Sequence, residues 1–111
     1  MISNEHSTLV VTCKLKPAYR LAVTETIADR ARIVFLDDLD QPAARRAALS
    51  TATVLLTNNP FKELHAVEME LIRSARLVQF LAAGVDFIPL DQLPPQVPLA
   101  SKAAQVSRTR P

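Results

Sequence analysis

The stretch Leu77-Val78-Gln79-Phe80-Leu81-Ala82-Ala83-Gly84-Val85-Asp86 decides how this chain is read. It holds the most strand-like apolar run, and the run ends at Gly84, the single glycine in 111 residues. A chain of this length ordinarily carries roughly eight. A glycine where a strand leaves a sheet lets the backbone turn tightly and lets a ligand approach the main chain. In an open α/β sheet, ligands lie at that carboxyl end of the strands. The same scarcity excludes other chemistry. Neither a G-x-G-x-x-G loop for a pyrophosphate nor a G-x-x-x-x-G-K-[ST] loop for a nucleoside triphosphate exists anywhere in the chain.

Upstream of this stretch, short apolar runs alternate with helix-like segments. Leu9-Val10-Val11-Thr12-Cys13 is compact and β-branched and reads as a first strand. Pro17 suits a helix start, and the spacing predicts a helix over Ala18 to Arg30 with Leu21, Ile27 and Ala28 on one face. Ile33-Val34-Phe35-Leu36 reads as a second strand closed by Asp37-Asp38. Pro42 opens an alanine- and arginine-rich helix to Thr51. Val54-Leu55-Leu56-Thr57 is a third strand, followed by the turn chemistry of Asn58-Asn59-Pro60. Leu64, Val67, Leu71 and Ile72 predict an amphipathic helix over Glu63 to Ala75. After the fourth strand, Leu77 to Leu81, Pro94-Pro95 forces an extended stretch, and Val97 to Ala100 reads as a short fifth strand.

This βαβαβαβ order with short connections predicts an α/β fold, a parallel sheet with helices on both faces. The right-handed crossover rule favours a flavodoxin-like open parallel sheet of about five strands in the order 2-1-3-4-5. Only eleven residues follow Ala100, so the expectation is a lobe lacking its last helix, or an edge left for a partner to cover. The organisation expected is a disordered head at 1–8, a partial lobe at 9–103 and an irregular tail at 104–111.

Composition narrows the function. An apolar fraction of 49% with 22% charged residues fits a globular domain with one core. The net charge of +2, with basic residues interspersed among acidic ones and few aromatics, argues against nucleic-acid binding. Cys13 is the one cysteine and reads as a small core residue rather than a nucleophile. The longest apolar runs are far short of a membrane span, and the polar head is no signal peptide, so a cytoplasmic location without membrane contact is expected.

Catalytic candidates are few. His6 lies in the head, and His65 reads as a surface histidine with no visible orienting partner. No metal-ligand spacing is present. Asp37-Asp38 invites comparison with a phospho-receiver sheet, but that chemistry needs acidic residues after the first strand and an aspartate ending the third. Lys14-Leu15-Lys16 and Thr57-Asn58-Asn59 stand there instead, and an asparagine forms no acyl phosphate. Asp37, Asp38 and Asp40 read as a solvated loop. Two turns remain, Asn58-Asn59-Pro60-Phe61 and Ala82-Ala83-Gly84-Val85, expected at one end of adjacent strands. Their main-chain N–H groups could form a concavity for a small carboxylate.

At these residues the chain resembles the N-terminal substrate lobe of the D-isomer-specific 2-hydroxyacid dehydrogenases. The resemblance rests on Val54 to Pro60, Leu77 to Pro89 with its Gly84-Val85-Asp86 turn, Leu93-Pro94-Pro95 and Val97 to Ala100. It implies a flavodoxin-like lobe paired with a Rossmann lobe that binds NAD or NADP, with hydride passing to or from C2 of a small 2-hydroxy or 2-oxo acid. It also implies that Asn58, Asn59, Phe61, Ala82, Ala83 and Gly84 contact the substrate. The family's arginine, its acidic partner, its histidine and its cofactor loop have no counterpart in this chain. Lys102 and Ala104 stand where the family carries asparagine and glycine, which suggests a truncated or frameshifted end. The resemblance therefore implies no catalytic residue and no cofactor bound by this chain, and no hydride transfer by it alone. The competing expectations are a non-catalytic binding or dimerisation module, forming a homo-oligomer or taking a missing Rossmann lobe as partner, and a non-functional fragment.

Overall fold

A computed structural model describes residues 7–82, 85, 87–101 and 105–106. Its strands are β1 (Thr8–Val11), β2 (Arg32–Phe35), β3 (Val54–Thr57), β4 (Leu77–Phe80), β5 (Leu99–Ala100) and β6 (Gln105–Val106). Its α-helices are α1 (Pro17–Ile27), α2 (Pro42–Thr51) and α3 (Pro60–Glu63), and 3-10 turns run over Leu36–Asp38, Ala66–Ser74 and Leu90–Gln92. The sheet order is β2-β1-β3-β4-β5-β6. The first five strands are mutually parallel, and β6 pairs antiparallel with β5. The expected α/β open sheet in flavodoxin-like order is therefore present, with a sixth strand that the sequence reading did not foresee.

Strand pleating sorts the apolar residues onto two faces. On one face Val10, Leu55, Val78, Phe80 and Leu99 pack against Leu36, Leu49 of α2 and Ile72. On the other, Leu9, Val11 and Cys13 pack against Val23 and Ile27 of α1, with Ile33, Phe35, Val54 and Leu56 around them. Strand β1 lies centrally and is buried at every position. Strands β3 and β4 alternate between half-buried and buried residues, because only the first face is sealed along their length. Between α1 and β4 a groove of about 340 Å3 remains, lined by Ala22, Val54, Leu56 and Leu77 among others.

Three local expectations are corrected. Helix α1 ends at Ile27 rather than Arg30, because Ala28 turns to φ 53° and donates its N–H to the Thr24 carbonyl at 2.8 Å. That backbone region ordinarily favours glycine. Leu21, expected on the buried face, is 58% exposed. The helix expected over Glu63 to Ala75 is two pieces. Leu64 and His65 are extended, with ψ of 146° and 154°, and Leu64 is buried in the core. Anchoring Leu64 inward breaks the helix, and the chain restarts as a tighter 3-10 coil. The shorter repeat moves Val67 out of the apolar stripe, and it is 76% exposed. At the head, Thr8 belongs to β1, whereas 1–6 lies outside the described residues. Of the tail, only Gln105–Val106 is described, and it is strand.

Candidate functional site

Strand order reverses between β1 and β3, since the chain moves outward from β1 to β2 and then returns past β1 to β3, and in open α/β sheets ligands lie at the carboxyl ends of strands at such a switch point. Thr12 follows β1 here, and Thr57 ends β3. Thr57 pairs in register with Phe80 of β4, and the Leu81 N–H donates to the Thr57 carbonyl at 2.9 Å. Thr57 and Leu81 therefore lie side by side at the carboxyl ends of β3 and β4, whereas the turn expected at Ala82-Ala83-Gly84-Val85 falls partly outside the described residues.

The first turn is tied down from within. Asn59 caps α3, its Oδ1 accepting the Phe61 N–H at 3.1 Å. Its carbonyl accepts from the Lys62 and Glu63 N–H groups at 3.1 Å each. The Glu63 carboxylate then reaches back over the turn. Oε1 accepts the Thr12 and Thr57 hydroxyls, both at 2.7 Å, and the Asn58 N–H at 3.3 Å. Oε2 accepts the Asn59 N–H at 2.9 Å. A concavity of donors does exist at Asn58-Asn59, but the chain's own carboxylate occupies it. This corrects the expectation that the main-chain amides of Asn58, Asn59 and Phe61 stand open to a ligand.

Of the six expected contact residues, Asn58 is exposed, and no described hydrogen bond engages its side chain. Asn59 is a structural cap, and Phe61 is half-buried against the core. Ala82 is half-buried just past the end of β4. Ala83 and Gly84 lie outside the described residues, and Val85 beyond them is buried.

Sequence reasoning missed Glu63, Thr12 and Thr57 as a unit. The available signals were a threonine at the end of each strand flanking the switch point and a carboxylate one turn beyond the capping asparagine. Reciprocal capping normally sets the acid three residues after the cap, and here the spacing is four. A second carboxylate with a comparable role is Glu68, 2% exposed. It holds Arg45 of α2 through two bonds of 2.9 Å and accepts the His65 N–H at 2.8 Å. His65 itself is exposed, in agreement with its reading as a surface residue.

Cys13 is 7% exposed and packs between Leu9, Val11 and their neighbours. Burial, reinforced by the nearby negative charge of Glu63, pushes its thiol up to about 11. The group is neutral at ordinary pH and is no nucleophile. At pH 8 a disulfide reagent is expected to label the folded chain about a hundredfold more slowly than the denatured chain, as the difference in thiolate fraction dictates. Following the released thiolate chromophore checks this.

Among the described residues no group of three or more His, Cys, Asp or Glu side chains is placed to hold a metal ion. No helix among them is long and apolar enough to cross a membrane. Strand β1 leads through Lys14-Leu15-Lys16 to Pro17, without the glycines of a pyrophosphate-binding loop. These features define a small α/β open sheet whose strand order switches between β1 and β3. No protein-family model, curated protein or solved structure matches the chain.

Proposed function

We propose that the chain acts as a substrate-binding lobe related to the NAD(P)-dependent oxidoreductases of 2-hydroxy acids, and that it holds a small carboxylate at the turn after β4. One observation carries the reading. The last residue of β3 and the first residue after β4 adjoin at the carboxyl end of the sheet, where ligands lie in open α/β folds, linked by the bond from the Leu81 N–H to the Thr57 carbonyl. With the Asn58-Asn59 amides bonded to Glu63, this reading assigns the anion-binding role to the main chain of Ala82, Ala83 and Gly84 and to the exposed Asn58 side chain. Glycine at the third position keeps the main chain approachable. Glu63 fixes the neighbouring turn, so that Asn58 is presented from a rigid support.

On this reading hydride transfer requires a second lobe carrying the nicotinamide and the acid–base group, because the chemistry depends on groups positioned from both sides of a cleft. The chain alone is therefore inactive. The test is an amide-resolved NMR titration of the isotopically labelled chain with pyruvate and lactate up to about 20 mM, a range that registers even weak carboxylate binding. Shifts concentrated at Asn58 and at Ala82 to Gly84 are expected. Their absence, or shifts scattered over the surface, would overturn the proposal. Nicotinamide absorbance with NADH and the same acids is expected to stay flat.

A further inference from the structure

Strand β2 forms one edge of the sheet. The Arg32 N–H donates to the Ser7 carbonyl at 2.9 Å on the β1 side. By strand alternation the main-chain groups of Arg32 and Val34 face β1, and those of Ile33 and Phe35 face outward. No described strand lies on that side. An open edge is a template for another strand, and proteins commonly blunt it with lysine, proline or a bulge. Ile33-Val34-Phe35 carries none of these, and its three side chains remain half-buried. Beside the edge runs a groove of about 560 Å3, walled on the helix side by Ala44, Ala47, Ala48 and Thr51 of α2. Their spacing places them on one helical stripe, so only small side chains stand between the groove and the helix backbone.

Charge selects the occupant. Arg32 opens the strand and Asp37 lies two residues past its end; both are exposed. No described hydrogen bond or ion pair engages the Arg32 side chain, and Asp37 contributes only its field to Arg20. Asp38 next to it is already committed to Arg20, through bonds of 3.0 and 2.6 Å. A parallel pairing of two identical strands would set Arg32 against Arg32 and Asp37 against Asp37. An antiparallel pairing about a two-fold at Val34 does the reverse. It sets Ile33 opposite Phe35 of the second copy, the outward-facing residues that a hydrogen-bonded pair requires. It also carries Arg32 to the Leu36-Asp37 end of the second copy, and the symmetry repeats this contact at the other end.

We propose that β2 is a self-pairing edge: two copies of this chain join β2 to β2 antiparallel about a two-fold at Val34, with an Arg32–Asp37 ion pair at each end. The same axis brings the two α2 helices side by side across the groove, small stripe toward small stripe. The inference is independent of the carboxylate-binding reading, since it uses the β2 edge, which β1 separates from β3 and β4.

Sedimentation of the whole chain from about 1 to 500 μM tests it, a range in which even a weak self-association is populated. A monomer–dimer equilibrium is expected. Asp37→Arg should weaken it about tenfold and Arg32→Asp similarly, because each places like charges together at both ends. The double exchange should restore the dimer to within about threefold of the parent. Ala47→Arg, on the exposed side of α2, should block association without altering the far-ultraviolet circular dichroism. A chain monomeric throughout would overturn the proposal. So would a dimer indifferent to these substitutions, or one disrupted instead by Tyr19→Arg on α1.

Discussion

Replacing Glu63 by alanine is expected to lower the unfolding free energy by about 3 kcal/mol. Four donors lose the Glu63 carboxylate at once, the hydroxyls of Thr12 and Thr57 and the N–H groups of Asn58 and Asn59, and of these the Thr12 hydroxyl keeps a long bond of 3.4 Å to the Leu56 carbonyl. Thr57 is fully buried and Thr12 nearly so. A buried donor left without a partner costs about 1–3 kcal/mol, whereas water can reach the amide of the exposed Asn58. The sum is therefore less than four full penalties. Glu63→Gln should fall between parent and alanine variant, because one of its terminal atoms is an NH2 that cannot accept. Urea denaturation measures both. The glutamine variant also removes the negative charge that helps hold the Cys13 thiol neutral, so labelling of Cys13 should accelerate. A Glu63→Ala variant as stable as the parent would mean that the bonds at the switch point contribute nothing.

Glu68→Ala is expected to cost a similar amount, about 3 kcal/mol. Its carboxylate is 2% exposed and its partner Arg45 16%, so the substitution strands a largely buried guanidinium. Breaking a buried pair from one side typically costs about 3–5 kcal/mol, and the partial exposure of Arg45 favours the lower end. The Arg45 guanidinium, helped by the His65 N–H, holds the Glu68 carboxyl below the usual carboxylate range. A depressed carboxyl stabilises the fold fully above its unfolded value, about 4.3, and loses that contribution as pH falls through the folded value. The parent should therefore lose stability on acidification below about pH 4. Glu68→Gln should be less stable at neutral pH and show a flatter acid limb. Equilibrium unfolding at several pH values resolves the two slopes. Replacing both Arg45 and Glu68 by leucine is expected to cost less than either single truncation, since no charge is left buried.

The topology was legible because each strand is a compact apolar run and each crossover is short. The strands read at Leu9 to Cys13, Val54 to Thr57 and Leu77 to Leu81 are present over Thr8–Val11, Val54–Thr57 and Leu77–Phe80, and Pro17, Pro42 and Pro60 each stand at the first position of a helix. Local pattern failed where tertiary contacts outweighed it. Periodicity alone makes 63–75 one helix, but burial of Leu64 divides it and turns Val67 to solvent. The two-residue strand β6 carries too short a pattern to be read in advance.

Strand order was enough to bring the ends of β3 and β4 together at one carboxyl end of the sheet, but the hydrogen bonds made there were not legible. Nothing in the linear chain says that Thr12, 51 residues before Glu63, donates to the same carboxylate as Thr57, only six before it. The sequence by itself determined the order of the first five strands and their parallel pairing, since these follow from short-range pattern and the handedness of crossovers. Only the tertiary structure decided that the amides of the first turn are already taken and that Glu68 closes on Arg45. Hydrogen bonds between distant segments depend on where folding brings their donors and acceptors, and no local periodicity encodes that meeting.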